Sequence, residues 1–298
     1  MVGNGVTNWT YDTQPAYVEM AYWHSLYDTA TYRAMKNNSC DFTLFNNNMT
    51  DVCQGLLDKF NYAVKDINVY NILGTCYGLP ETPADANQFY KAGDLGRTMV
   101  NGQLKTYKKG FTAAEYTPWI KHRQSKLGDD GLPPCVYGIP VTDWMNSPDV
   151  RRVLHIPDSA PGWQMCNDIP YTIETQGSQW VYERLANITE TTAKYKILKF
   201  SGDIDGSVPT WGTLGWINAL NWTVTTEWSQ FKLDDGIVGG YFEQYDISGG
   251  FTFASVHKAG HMVPQFQPAK AYHLIFNWIK DTLKPAPTSS AAEKPIQN

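Results

Sequence analysis

The sequence lacks a basic excess: 24 lysines and arginines stand against 29 aspartates and glutamates, for a net charge of −5. A nucleic-acid-binding face needs the opposite sign, so no nucleic-acid partner is expected. It lacks any apolar run approaching the length of a membrane span, and no positively charged segment followed by an apolar one stands at its start. Either the protein is cytosolic, or its targeting signal lies on missing sequence. None of its 5 cysteines has Cys-x-x-Cys spacing, which removes the commonest zinc and dithiol readings. Gly-x-Ser-x-Gly, the turn that presents a hydrolase serine, does not occur. What is present suits one large globular domain: 298 residues, 42% hydrophobic, with 11 Trp and 18 Tyr. The rings are read as core rather than as a stacking platform.

Two stretches organise the chain. Ile197-Leu-Lys-Phe-Ser-Gly-Asp-Ile-Asp-Gly-Ser-Val-Pro209 and Phe251-Thr-Phe-Ala-Ser-Val-His-Lys-Ala-Gly-His-Met-Val-Pro264 each open as an apolar run and then break into Gly, a titratable residue and Pro. Each predicts a strand feeding a loop, and an α/β sheet presents its chemistry at the C-terminal ends of parallel strands. Asp205 precedes His261 with room for a helix and a strand between them, the order of acid and base in an α/β-hydrolase. A histidine acting as base needs a fixed tautomer, and a carboxylate on its other ring nitrogen supplies it. Gly260 before His261 and Val263-Pro264 after it describe a loop tip. His257 is the rival base, but strand alternation aims it away from the tip. Asp203 is read as a turn residue, and no further His or acid joins Asp203 and Asp205 at metal-ligand spacing. His24, His122, His155 and His273 are read as structural.

The blocks Gly202-Asp-Ile-Asp-Gly-Ser-Val-Pro209 and Ala259-Gly-His-Met-Val-Pro264 resemble the Asp and His motifs of the serine carboxypeptidases. Val2-Gly-Asn-Gly-Val-Thr-Asn8, Ile67-Asn-Val-Tyr-Asn-Ile72, Met145-Asn-Ser-Pro-Asp-Val-Arg-Arg-Val-Leu-His155 and Trp163-Gln-Met-Cys166 follow the same family's order. The resemblance covers the C-terminal two thirds of such an enzyme. It implies an α/β-hydrolase fold with a mixed, mostly parallel central sheet and a helical cap insertion, with the N-terminal strands and nucleophile elbow missing. Residues 1–283 are then a partial domain with the cap at about 13–140, and 284–298, rich in Pro, Ser, Ala and Lys, a disordered tail. The implied activity is release of C-terminal residues from peptides and proteins through an acyl-enzyme, without a cofactor, this chain supplying Asp205 and His261 but not the serine. Met262 occupies a position that in the family borders the substrate carboxylate. The alternatives are a non-catalytic binding or protective protein on the same scaffold, and an acyltransferase of the same family.

Cys40/Cys53 and Cys76/Cys135 flank a loop-rich region as two candidate disulfides, which place the protein in an oxidising compartment. Cys166 is left unpaired; in the resembled family the cysteine of this context bonds to one near the N-terminus of the full-length protein, so the missing N-terminal chain is an expected partner, and a homodimer is another. Asn8, Asn37, Asn48, Asn187 and Asn221 each head an Asn-x-Ser/Thr sequon. With the cysteines they favour a lysosomal, vacuolar or secreted protein. Charges crowd Lys105 to Lys109 and Lys121 to Asp130, a solvated loop that Cys76/Cys135 would bridge if it were cut.

Periodicity predicts one or two helices over Ala16 to Lys36, and another over Asp51 to Val64 capped by Thr50. Ser147 with Pro148 predicts a helix start that turns Val150, Val153 and Leu154 inward. Further helices are expected over Gln179 to Leu185, Thr210 to Leu220 and Pro268 to Thr282, with antiparallel strand material at Trp222 to Lys232 and Gly239 to Tyr245. Val2-Gly-Asn-Gly5 is read as the exit from a core strand whose earlier residues are missing.

Overall fold

Both apolar runs end in a glycine or a valine and form the centre of a sheet in the computed structural model, which describes residues 1–43, 46, 48–74, 139–164, 176–187 and 194–286. The strands are β1 (Val2–Gly3), β2 (Ile197–Gly202), β3 (Val224–Lys232), β4 (Val238–Tyr245) and β5 (Phe251–Val256), in spatial order β1-β2-β5-β4-β3. β1 runs parallel to β2 and β2 to β5, while β4 is antiparallel to both β5 and β3. Only β4 therefore opposes the other strands, as expected of a mixed, mostly parallel sheet.

Every residue of β2 and β5 is buried, because helices cover both faces. The helices, in chain order, are α1 (Gln14–Trp23), α2 (Thr29–Asn37), α3 (Asp51–Val64), α4 (Ile139–Met145), α5 (Pro148–Val153), α6 (Gln179–Ala186), α7 (Thr210–Ala219), α8 (Val263–Phe266) and α9 (Pro268–Ile279). On one face Leu198, Phe200, Phe242, Ala254 and Val256 pack with Ala271, Leu274 and Trp278 of α9. On the other, Ile197, Phe251 and Phe253 pack with Tyr182 of α6 and with Trp216 and Ile217 of α7. The alternation along β5, with Phe251 and Phe253 to one side and Ala254 and Val256 to the other, is the two-residue period of a strand buried on both faces. Each large side chain so buried contributes on the order of 1.5–3 kcal/mol.

The chain divides into two compact units, one formed by Met1–Ala16 with Thr175–Asn298 and the other by Tyr17–Glu174. The first holds the sheet. In the second, Asp28 caps α2 by accepting from the Thr31 amide (2.8 Å) and hydroxyl (2.7 Å), and Thr50 caps α3 by accepting from the Cys53 amide. Phe60 of α3 meets Tyr17 and Tyr27 edge to face, a geometry that suits ring quadrupoles. Cys40 and Cys53 are disulfide-bonded, with Cα atoms 5.5 Å apart.

Ser147 caps α5 as expected, but the inward assignment on that helix is corrected: no residue of α5 is buried, and Val153 and Leu154 are exposed. The helix is six residues long, and Arg151 turns from it to donate to the carbonyls of Pro157, Ala160 and Pro161. On α9, Ala271, Leu274 and Trp278 are buried and Ile279 is exposed. The helix stops at Ile279, and Asp281 takes a left-handed φ of 56°. Cys76, Cys135 and Cys166, the 105–130 charge runs and residues 287–298 lie outside the described residues. Residue 286 precedes that last stretch, its amide bonded to the Gln230 carbonyl of β3.

Candidate active site

Where β2 ends, its glycine sets how closely the next loop approaches. A Cβ on Gly202 would lie 2.2 Å from the Ala259 carbonyl oxygen and 2.3 Å from that of Gly260. Only glycine lets the Asp205 loop pass against the His261 loop at this distance. The Ile204 amide then bonds the Ala259 carbonyl at 3.1 Å, joining the two loops.

Asp205 is fully buried, and four donors converge on its carboxylate. Oδ1 accepts from the amides of Ser207 (2.8 Å) and Val208 (3.3 Å). Oδ2 accepts from Nδ2 of Asn4 at 2.7 Å and lies 2.9 Å from Nδ1 of His261. Burying a carboxylate is tolerable when donors replace the lost water, and here they also fix its orientation. A proton on Nδ1 directed at Asp205 makes Nε2 the acceptor of the neutral ring, the tautomer a general base requires. The His261 side chain retains 21% exposure where Asp205 has none.

The residues after His261 hold its loop in place. Met262 is half-buried, and its carbonyl accepts from the amides of Gln265 and Phe266, opening the single turn of α8 with Pro264 near its start. Met262 thus adjoins the base.

Two features of the site escape a reading of the sequence. Asn4 comes directly after β1 with φ 44°, in the left-handed region that asparagine tolerates, and its amide continues the parallel ladder to the Phe200 carbonyl at 2.9 Å. The Asn between two glycines signals such a conformation, although nothing local says that its side chain reaches Asp205. The second feature is a pair between Asp203 and His257, with Oδ2 to Nδ1 at 2.6 Å. His257 thus meets the aspartate read as a turn residue.

Under β1 lies a buried charged group that the sequence does not advertise. Lys199, on β2, is wholly buried and donates to the Gly5 carbonyl and to the Thr7 hydroxyl. Asp12, also wholly buried, accepts from the amides of Thr7 (2.7 Å) and Asn8 (3.0 Å). Burial pushes the Asp12 carboxyl up from 3.8 to about 6, against those two amides and the Lys199 charge. Burial likewise lowers the Lys199 ammonium from 10.5 to about 8, with the Asp12 charge opposing the shift.

Of the sequon asparagines, Asn37, Asn48, Asn187 and Asn221 are exposed. Asn8 is half-buried, with Nδ2 donating to Gln179 at 2.7 Å and Oδ1 accepting from the Thr10 amide at 2.8 Å. Among the described residues no cluster of His, Cys, Asp and Glu is placed to hold a metal ion, and no helix is long and apolar enough to cross a membrane.

A buried aspartate bonded to a loop histidine at the C-terminal ends of adjacent parallel strands, with helices on both faces of the sheet, defines a scaffold of the α/β-hydrolase type. The family model for serine carboxypeptidases matches residues 1–281, and the chain belongs to that family. It is 30% identical over 288 residues to serine carboxypeptidase 1 of Hordeum vulgare, covering 94% of this chain and 55% of the barley protein. To the lysosomal protective protein of Mus musculus it is 25% identical over 291 residues, covering 93% of this chain and 57% of the mouse protein. The chain spans about half the length of the curated relatives it matches. Among solved structures, a prohormone-processing carboxypeptidase from Saccharomyces cerevisiae shares the fold, with a TM-score of 0.54 and 17% identity over 96% of this chain and 55% of that one.

Proposed function

We propose that this chain supplies the base and its carboxylate partner to a serine-type carboxypeptidase that removes residues from the C-termini of peptides and proteins. The observation that carries the reading is the His261 Nδ1 to Asp205 Oδ2 contact at 2.9 Å, with the carboxylate buried beneath four donors. His261 Nε2 takes the proton of a serine hydroxyl as its oxygen bonds to the scissile carbonyl carbon. Collapse of the tetrahedral adduct breaks the C–N bond, and the imidazolium gives that proton to the departing amine. Water then repeats the sequence on the acyl-enzyme and regenerates the serine. Asp205 holds the ring in its tautomer and balances the imidazolium charge; it takes no proton. The serine belongs to sequence outside the motifs of this chain.

A lysosomal, vacuolar or secreted setting fits this reading. It is supported by the Cys40–Cys53 disulfide, by four exposed sequon asparagines and by a relative named lysosomal protective protein.

The test uses protein purified from its natural source, with its intact mass taken reduced and non-reduced. An N-acylated peptide is incubated with it, and products are followed by mass spectrometry beside labelling with a fluorophosphonate. Stepwise loss of C-terminal residues and a labelled serine support the proposal, and recombinant His261→Ala should abolish both. Asp205→Asn should lower kcat by on the order of 10⁴-fold, the scale for losing the carboxylate that sets the tautomer. Transfer of the acyl group to an added alcohol or amine in preference to water would identify an acyltransferase. An unlabelled protein with no peptide turnover would sink the enzyme reading and leave a binding or protective scaffold.

A further inference from the structure

We propose that Asp203 is a positioning residue for the Asp205–His261 pair, clamping the base loop through His257 and through the backbone of Lys258. The parallel register pairs Gly202 with Val256, so the next residues of the two strands, Asp203 and His257, leave the sheet side by side. Asp203 uses both carboxylate oxygens across that gap. Oδ2 meets Nδ1 of His257 at 2.6 Å, and Oδ1 accepts from the Lys258 amide at 2.7 Å.

The second bond falls where the loop needs it. Lys258 has φ 62°, a left-handed conformation that lysine rarely adopts, and it lies three residues before His261. Other backbone groups of the turn are bonded as well. The His257 amide bonds the Gly239 carbonyl at 2.9 Å, and the His257 carbonyl accepts from Lys270 Nζ at 2.6 Å. The Lys258 carbonyl accepts from Nε2 of Gln267 at 2.9 Å, and the Ala259 carbonyl accepts from Ile204. Asp203 anchors the Lys258 amide with its second carboxylate oxygen. Asp203 acts on His261 through the turn, so its loss should displace His261 rather than remove a reacting group.

The inference rests on His261 being the base, but its test needs no nucleophile. The probe is the hydrogen-bonded Nδ1 proton of His261 in the full chain, observed by proton NMR and assigned by its disappearance in His261→Gln. In Asp203→Ala this proton should exchange with water at least about tenfold faster or broaden beyond detection, a tenfold change being the scale of one lost bond. Asp203→Asn keeps an oxygen for the Lys258 amide and should retain most of the protection. Lys258→Gly accepts the left-handed turn without support, so the double variant Asp203→Ala with Lys258→Gly should recover the signal. That recovery also decides the case in which Asp203→Ala fails to fold. Where the protein hydrolyses peptides, kcat should fall in Asp203→Ala with KM unchanged and return in the double variant. An unaltered Nδ1 proton in Asp203→Ala, or no recovery on adding Lys258→Gly, overturns the proposal. A chain that turns over no peptide removes the carboxypeptidase reading and leaves the NMR result to decide the clamp.

Discussion

Replacing Asp12 by asparagine should erase a pH dependence of stability that the chain carries between about pH 4 and pH 6. Asp12 is wholly buried; Oδ2 accepts two amides, while Oδ1 is buried without a hydrogen-bond partner among the described residues. Its carboxyl titrates near 6 in the fold against an ordinary value of 3.8, chiefly because burial penalises the charge. A difference of about 2 pKa units corresponds to about 3 kcal/mol. Below pH 4 the carboxyl is protonated in both states, and the fold has its full advantage. As the pH rises toward 6 the unfolded chain has released a proton that the folded chain retains, so stability falls and the contribution is gone above that value. Against a total stability on the order of 5–15 kcal/mol, such a change is readily measured.

Asparagine offers one oxygen to the same two amides and places an uncharged amide group where the unbonded oxygen was. The variant therefore lacks the pH dependence that Asp12 contributes across this window. The assay is guanidinium unfolding of the full chain with and without Asp12→Asn at steps from pH 4 to pH 7. The difference in unfolding free energy should move by about 3 kcal/mol in favour of the variant as the pH rises. Lys199 titrates outside this window in the wild type: its lowered value near 8 makes stability fall as the pH drops from about 10.5 toward 8, and below that its contribution is constant. Removing the Asp12 charge takes away what opposes that shift, so the series stops at pH 7. A difference that stays constant from pH 4 to pH 7 refutes the reasoning, because no other change between the two proteins titrates there.

Asn4→Ala removes a bond to a buried carboxylate and leaves alanine at φ 44°; unfolding should show a loss of about 2 kcal/mol or more, with Asn4→Gly less affected because glycine accepts the conformation. Cys40→Ser with Cys53→Ser opens a loop closed across a separation of 13 residues and should lower the stability of the second unit by about 3 kcal/mol, read by chemical denaturation with and without reductant. Glycopeptide mass spectrometry of the protein from its natural source should find Asn37, Asn48, Asn187 and Asn221 occupied and Asn8 unmodified. The Asn8 amide nitrogen, where the glycan would attach, already donates to Gln179.

The strands and most helices were legible because their signals are local. β5 falls on Phe251–Val256 as its apolar run predicts, and α3 on Asp51–Val64 behind its Thr50 cap. The pairing of Asp205 with His261 was legible for another reason: each comes after a strand, and residues that leave adjacent parallel strands emerge together. The same logic covers Asp203 and His257, yet the sequence alone does not show it, because the register Gly202 to Val256 decides which side chains emerge level. α5 misled because six residues carry too few apolar positions to establish a buried face, and Arg151 commits one side to carbonyls. Lys199 interrupts an apolar strand as a solvent-facing residue would, and its partners Gly5, Thr7 and Asp12 are distant in sequence.

Those distant partners connect the buried charges to the base. Residues 4 to 12 form one loop over the end of β2, and its polar groups are divided between two buried carboxylates and one buried ammonium. Asn4 reaches forward to Asp205; Gly5 and Thr7 sit on Lys199; the amides of Thr7 and Asn8 sit on Asp12. A hydrophobic side chain at position 199 would avoid the desolvation of an ammonium, the main cause of its lowered titration, and would serve β2 as well by packing. What it would not do is hold a carbonyl and a hydroxyl of the loop that delivers Asn4. The buried lysine therefore costs stability in the strand and fixes the loop, and through Asn4 it sets one of the four donors on which the orientation of Asp205, and so of His261, depends.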